Sequence, residues 1–192
     1  CSVVSWARRC VEETGDKQVT LLDTPGHVDF SAEMERTLQV LDYAILVVSG
    51  ADGVQGHTRT LWNLLARYQV PTFIFINKMD QDGTDRQDRL TELKRKLSGE
   101  CVDFTEAGEE FLEELSMCDE TVMESYLENG EITASQIQTL IRERKVFPCY
   151  FGSALKLEGV QELLDGREKY MDGPVSGTHA EEAFGAKVYK IS

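Results

Sequence analysis

The sequence lacks an apolar run long enough to cross a membrane, and no long apolar stretch follows a basic start at its N-terminus. Its longest apolar run, near residues 43–48, is far short of the roughly 20 residues that a membrane helix needs. The five cysteines are odd in number and widely scattered, without the paired spacing of a zinc site or a disulfide framework. We therefore expect a cytoplasmic globular protein with reduced thiols.

Basic residues are also scarce, with 20 Lys and Arg against 34 Asp and Glu and a formal net charge of -14. This balance argues against nucleic acid as a general partner. Residues 97–141 contain no Lys or Arg, and they hold the acids Glu100, Asp103, Glu106, Glu109, Glu110, Glu113, Glu114, Asp119, Glu120, Glu124, Glu128 and Glu131. Two interpretations of this acidic segment stay open: a solvated helical face, or a docking surface for a basic protein.

Apolar runs alternate with amphipathic patterns along the chain, which is typical of strands joined by crossover helices. The predicted strands are residues 2–11, 18–23, 43–49, 72–76 and 147–151, and the predicted helices are 31–40, 57–68, 85–97 and 159–170. We predict an α/β fold with a mostly parallel sheet, helices on both faces and an acidic helical insertion at about residues 97–146. Residues 1–172 form the main domain, 173–183 a linker, and 184–192 a strand of a following domain.

The first motif that carries chemistry is Asp23-Thr24-Pro25-Gly26-His27, directly after a predicted strand. A carboxylate at the end of a parallel strand can hold Mg²⁺, usually through water, because this small cation keeps much of its hydration. Gly26 lets a backbone amide approach a phosphate oxygen, since no side chain intervenes. The alternative is an ordinary Pro-Gly turn after an Asp.

Two further motifs follow predicted strands. In Asn77-Lys78-Met79-Asp80, the carboxylate can accept two hydrogen bonds from the Watson-Crick edge of guanine, while the stem of Lys78 covers the base and Asn77 braces neighbouring loops. In Gly152-Ser153-Ala154-Leu155, a backbone amide of the Ser-Ala turn can reach the guanine carbonyl oxygen. The last motif is weak by itself, but three motifs in order at three strand ends favour a nucleotide site.

Together these residues resemble the translational GTPases, the class that includes elongation factor G and the tetracycline ribosomal-protection proteins. The resemblance includes the longer run from Leu21 to Phe30, and Asp52-Gly53-Val54-Gln55 is closest to the ribosomal-protection branch. It implies a P-loop GTPase-type fold that binds GTP or GDP with Mg²⁺, and a β-barrel after the linker.

The resemblance also implies residue roles. Asp23 would be linked to Mg²⁺, Gly26 would contact the terminal phosphate beside Thr24 and Pro25, and His27 would order the attacking water as the catalytic residue. The guanine base would be read by Asn77, Lys78, Asp80, Ser153, Ala154 and Leu155. The implied partner is the ribosome, with ribosomal RNA near His27 and the stalk protein at the acidic insertion.

The sequence departs from the family pattern because no Gly-x-x-x-x-Gly-Lys followed by Ser or Thr occurs in it, and the family's first-switch threonine has no counterpart from Ser2 onward. We expect a domain truncated at its N-terminus, which by itself hydrolyses no GTP, binds guanine nucleotides weakly, and rearranges or self-associates where a central strand is missing. A non-enzymatic ribosome-binding module and a GTPase outside translation are the alternatives.

Overall fold

The computed structural model of the protein describes residues 8–14, 17–23, 37–106 and 108–171. By its internal contacts the chain divides into two units, residues 1–40 with 173–192 and residues 41–172. In the first unit, β1 (Arg8–Thr14) and β2 (Lys17–Asp23) form an antiparallel pair in which Arg8 lies opposite Asp23. The predicted strand 184–192 and linker 173–183 lie outside the described residues, as does most of the predicted helix 31–40.

The second unit is built on a four-stranded parallel sheet with the strand order β3-β4-β6-β5. Its strands are β3 (Ala44–Ser49), β4 (Thr72–Asn77), β5 (Cys101–Asp103) and β6 (Phe147–Phe151). The two central strands are apolar along most of their length because both faces of the sheet are covered. The predicted α/β fold with a parallel sheet is therefore confirmed.

Six helices are described in this unit, and their ends follow local capping chemistry. They are α1 (Gly56–Arg67), α2 (Arg86–Lys96), α3 (Glu109–Ser116), α4 (Glu120–Asn129), α5 (Ala134–Arg142) and α6 (Val160–Tyr170). The carboxylate of Asp85 accepts the Asp88 amide at 2.9 Å and so begins α2. Thr133 and Gln136 form a capping box at the start of α5.

The helices cover the two faces of the sheet separately. Alternate residues of β4 point to opposite faces, so Ile74 and Ile76 pack with side chains of α1 and α2, including Trp62 and Leu93. On the other face, Phe73 and Phe75 pack with buried side chains of α3, α4, α5 and α6, which are Leu115, Val122, Ile137, Leu140, Ile141 and Leu163. This arrangement confirms the predicted helices on both faces.

The acidic segment folds as the helices α3, α4 and α5, after the short strand β5. Part of its apolar side chains are buried in the core beside the sheet, namely Leu115, Val122, Ile137, Leu140 and Ile141. Met117, Met123, Leu127 and most of the carboxylates are exposed. Among the described residues, no helix is long and apolar enough to span a membrane. Cys101, Cys118 and Cys149 are free thiols.

Candidate functional site

The candidate site lies where β3, β4 and β6 end, because parallel neighbours deliver their following loops to the same edge of a sheet. Backbone hydrogen bonds tie the three loops together. The Gly50 amide donates to the Asn77 carbonyl at 2.6 Å, and the Gly152 amide donates to the Ile76 carbonyl at 2.9 Å. The Met79 amide in turn donates to the Gly152 carbonyl at 3.0 Å. The second and third sequence motifs are therefore neighbours in space.

Asn77 joins these two motifs through its side chain. Its Oδ1 accepts the backbone amide of Lys78 at 2.8 Å and the backbone amide of Ala154 at 2.8 Å. One amide oxygen thus holds two loops that are 77 residues apart in the chain. The Asn77 side chain therefore joins the two loops, whereas its predicted part in nucleotide binding stays a prediction.

The loop after β6 is closed on itself. The Ser153 amide donates to the Glu158 carbonyl at 2.9 Å, and the Glu158 amide donates back to the Ser153 carbonyl at 3.1 Å. A Cβ on Gly152 would lie 2.0 Å from the Glu158 carbonyl oxygen, so no side chain fits there. Gly159, at φ 73°, has the left-handed backbone conformation that favours glycine. The loop therefore presents Ser153 and Ala154 from a fixed base.

Asp80 provides the charged acceptor of the site. A hydrogen bond from the Ser153 side chain lowers the pKa of this carboxyl group, partial burial opposes that shift, and the Lys156 ammonium lowers the pKa further. The Lys156 Nζ lies 3.6 Å from Asp80 Oδ2, and the Asp80 side chain is 19% exposed. Asp80 is consequently an ionised acceptor in a partly shielded position, which suits the two N–H groups on the Watson-Crick edge of guanine.

The other two predicted base-contacting residues are solvent-facing. Lys78 is exposed and has a left-handed backbone with φ 65°, so a bend follows directly on the end of β4. Leu155 is 91% exposed at the tip of the loop after β6. Their predicted contacts with a nucleotide stay predictions.

The phosphate-side residues are only partly described. Asp23 is the last residue of β2 and is exposed, whereas Thr24, Pro25, Gly26 and His27 lie outside the described residues. An exposed carboxylate at a strand end has the oxygen chemistry that Mg²⁺ prefers. Within the described ranges, no group of three or more His, Cys, Asp or Glu side chains is placed to hold a metal ion. The assigned roles of Asp23 and His27 therefore stay predictions.

Sequence reasoning missed two residues at this edge. Gly50 follows β3 and donates its amide to Asn77, and Lys156 forms an ion pair with Asp80. The sequence gives a weak indication of each: Gly50 directly follows a predicted buried strand, and Lys156 is a cation three residues after Ser153. Neither signal identifies its partner, because both contacts join distant parts of the chain.

A parallel sheet with helices on both faces, and an acceptor carboxylate among the loops at its carboxyl edge, define an open α/β domain that binds its ligand at the ends of its strands, as P-loop GTPase domains do. Residues 3–172 match the family model of the elongation factor Tu GTP binding domain. The chain belongs to this family, which is a family of translational GTPases.

A crystal structure of a protein from Thermus thermophilus has the same fold, with a TM-score of 0.76 and 22% sequence identity. The match covers 87% of this chain and 32% of that protein. The chain thus spans about a third of the length of this structural relative. At this identity the likeness supports the fold of the domain.

Proposed function

We propose that the chain supplies the guanine-reading part of a ribosome-associated translational GTPase that resembles elongation factor G and the tetracycline ribosomal-protection proteins. The observation that carries the proposal is the joined pair of loops at the sheet edge. Asn77 holds the amide of Ala154, and Ser153 hydrogen bonds to Asp80, so residues of two distant motifs surround one carboxylate. The family match supports the same assignment independently.

In this proposal each residue of the site has a separate task. Asp80 accepts the two N–H groups of guanine, and adenine is rejected because it lacks that pair of donors. Ser153 orients Asp80, and Asn77 holds the two loops at a fixed separation. The Ala154 amide donates to Asn77 Oδ1 in this structure, so it would have to exchange that partner to bond the guanine carbonyl. Lys78 and Leu155 cover the faces or rim of the base.

The phosphate side of the proposal rests on Asp23, Thr24, Pro25, Gly26 and His27. Asp23 would hold Mg²⁺ through water, the backbone at Gly26 would contact the terminal phosphate, and His27 would order the attacking water. The 192 residues contain no Gly-x-x-x-x-Gly-Lys-Ser/Thr motif to neutralise the phosphates. We accordingly propose that this polypeptide by itself binds GDP more weakly than micromolar and does not hydrolyse GTP.

The ribosome is the proposed partner, with ribosomal RNA near His27 and the stalk protein at the acidic segment. One face of α4 supports the second contact, because residues spaced by three and four along it are all exposed. These residues are Glu120, Met123, Glu124, Leu127 and Glu128, so the face combines carboxylates with large apolar side chains. Such a surface suits a basic amphipathic protein element rather than RNA.

The substitution Asp80→Asn tests base recognition. Asn replaces one acceptor oxygen of Asp80 by an NH₂ donor, which would face the amino group of guanine, also a donor. Xanthine has a carbonyl acceptor in place of that amino group, so the Asn side chain can hydrogen bond to xanthine. Loss of one charge-assisted bond of about 1.5–3 kcal/mol weakens GDP binding by roughly 10- to 150-fold. We expect wild type to prefer GDP and D80N to prefer XDP, measured by chemical-shift titration with millimolar nucleotide.

The matched control is Asp82→Asn, which removes an exposed acid from the same loop. D82N should retain the preference of wild type for GDP. Equal binding of GDP and XDP by wild type, or a D80N variant with unchanged preference, would overturn the assignment of Asp80 as the base-reading residue. Sub-micromolar GDP binding by wild type would overturn the proposed weak affinity.

A further inference from the structure

The ion pair between Lys156 and Asp80 has no role in the function proposed so far. It connects the loop after β4 to the loop after β6, and its nitrogen and oxygen atoms are 3.6 Å apart. The lysine side chain is 52% exposed, so this is an ionic contact at the rim of the site and not a buried pair. Neither residue belongs to the apolar core.

The backbone of Lys156 is held in a defined position. Its amide donates to the Ser153 carbonyl at 3.1 Å, and the next residue, Leu157, has a left-handed backbone with φ 59°. The Ser153–Glu158 bridge closes the loop around this turn. Because the turn is fixed on both sides, the lysine side chain starts from the same rigid loop that presents Ser153 and Ala154.

Lys156 is the cation among the groups that interact with the Asp80 carboxylate. Among the described residues, the groups that lower the pKa of Asp80 are the Ser153 side chain, the backbone amide of Asp80 itself and Lys156. The first two are neutral donors, and Lys156 is the cation. A carboxylate that must accept two hydrogen bonds has to be ionised and correctly oriented before the base arrives.

We infer that Lys156 is a positioning residue of the base site, whose ammonium holds the Asp80 carboxylate in its guanine-accepting orientation from the loop that also carries Ser153. The inference rests on the proposed function, because it assigns Lys156 to the same guanine site. Lys156 acts through Asp80 and needs no contact with the nucleotide.

The test compares Lys156→Met with Lys156→Arg in the 192-residue chain. The first readout is the ¹³C shift of the Asp80 carboxyl group against pH, without nucleotide. Since the ammonium lowers the pKa of Asp80, its removal moves the titration midpoint to higher pH. K156R keeps the cation and should leave the midpoint close to that of wild type.

The second readout is GDP affinity by chemical-shift titration at pH 7 and low salt. K156M should bind GDP about two- to fivefold more weakly, a change in the range of exposed ion pairs. The difference in GDP affinity between wild type and K156M should become smaller in high salt, because salt screens the ion pair between Lys156 and Asp80 in wild type. K156R should restore most of the affinity, and well-dispersed amide spectra would show that each variant is folded.

Lys94→Met is the matched control, since Lys94 Nζ pairs with Glu114 Oε1 at 2.7 Å on another part of the unit. K94M should leave both readouts unchanged. Wild-type GDP binding together with an unchanged K156M variant would overturn the role of Lys156 and leave the proposed function intact. Tighter GDP binding by K156M would also overturn it, because Lys156 would then compete with the base. Absence of GDP binding by wild type would overturn the proposed function itself.

Discussion

Removal of the Asn77 side chain beyond Cβ, in the variant Asn77→Ala, is the sharpest test of how the two loops are joined. The amide oxygen of Asn77 accepts two backbone N–H groups at 2.8 Å, one from its own loop and one from Ala154. Alanine offers no acceptor in that place. Both donors would then have to find water, and the loop after β6 would lose its side-chain tether to β4.

The size of the effect follows from the number and exposure of these bonds. A typical intramolecular hydrogen bond contributes about 0.5–1.5 kcal/mol net, and both of these bonds lie at exposed positions where water replaces a lost acceptor. We therefore expect N77A to lower the free energy of unfolding by about 1–2 kcal/mol. For a chain of this size that corresponds to a fall in Tm of about 2–8 °C.

Urea unfolding followed by far-UV circular dichroism measures this loss. Asn77→Asp keeps acceptor oxygens at the same place and should recover most of the stability. Asn129→Ala is a second control, because Asn129 makes only a local bond to the Ser125 carbonyl at 3.1 Å within α4. GDP affinity should fall with N77A and not with N129A. An N77A variant as stable as wild type would refute the bracing role.

Two further outcomes concern other parts of the second unit. Burial opposes ionisation of Glu92, but hydrogen bonds from Lys96 and the Val54 amide and the nearby cations lower its pKa overall. Ionised Glu92 therefore stabilises the folded state fully above its unfolded-state pKa, and this contribution is lost as the pH falls through the lower folded-state pKa. Glu92→Gln should cost about 1–2 kcal/mol at pH 7 and progressively less as the pH falls below the ordinary pKa of a glutamate carboxyl group, measured by urea unfolding across pH. β3 is an edge strand of the described four-stranded sheet, and its residue Val47 is 59% exposed. Because an edge strand has unpaired backbone groups, we expect the chain to self-associate through β3. Val47→Lys should raise the dissociation constant of self-association, measured by light scattering, at least about tenfold. Leu127→Lys on α4 should leave that constant unchanged. A monomeric wild-type chain would contradict the expected self-association.

Most elements of the second unit were predictable because their apolar patterns are long and regular. Residues 72–76 and 147–151 are continuous apolar runs of the kind found in buried parallel strands, and both are strands in the structure. The strand β5 (Cys101–Asp103) was not predicted, since three residues are too few to show a period. In the first unit, β1 continues to Thr14, whereas the predicted strand stopped at residue 11.

The candidate site was predictable in its residue types but not in its contacts. Asn77, Asp80, Ser153 and Ala154 were identified because each follows a predicted strand. That the Asn77 side chain holds the Ala154 amide depends on β4 and β6 being neighbours, although the acidic segment separates them in the chain. No local pattern encodes that adjacency.

The amino-acid sequence by itself determined the alternation of strands and helices, the acidic character of α3 to α5, and the motifs that identify the nucleotide-binding class. These properties depend on residue type and short-range period, which are local. Only the tertiary structure decided the strand order β3-β4-β6-β5 and the ion pair between Lys156 and Asp80. Both arise from packing between residues far apart in the chain, because burial of the apolar faces selects which strands become neighbours and which loops then meet.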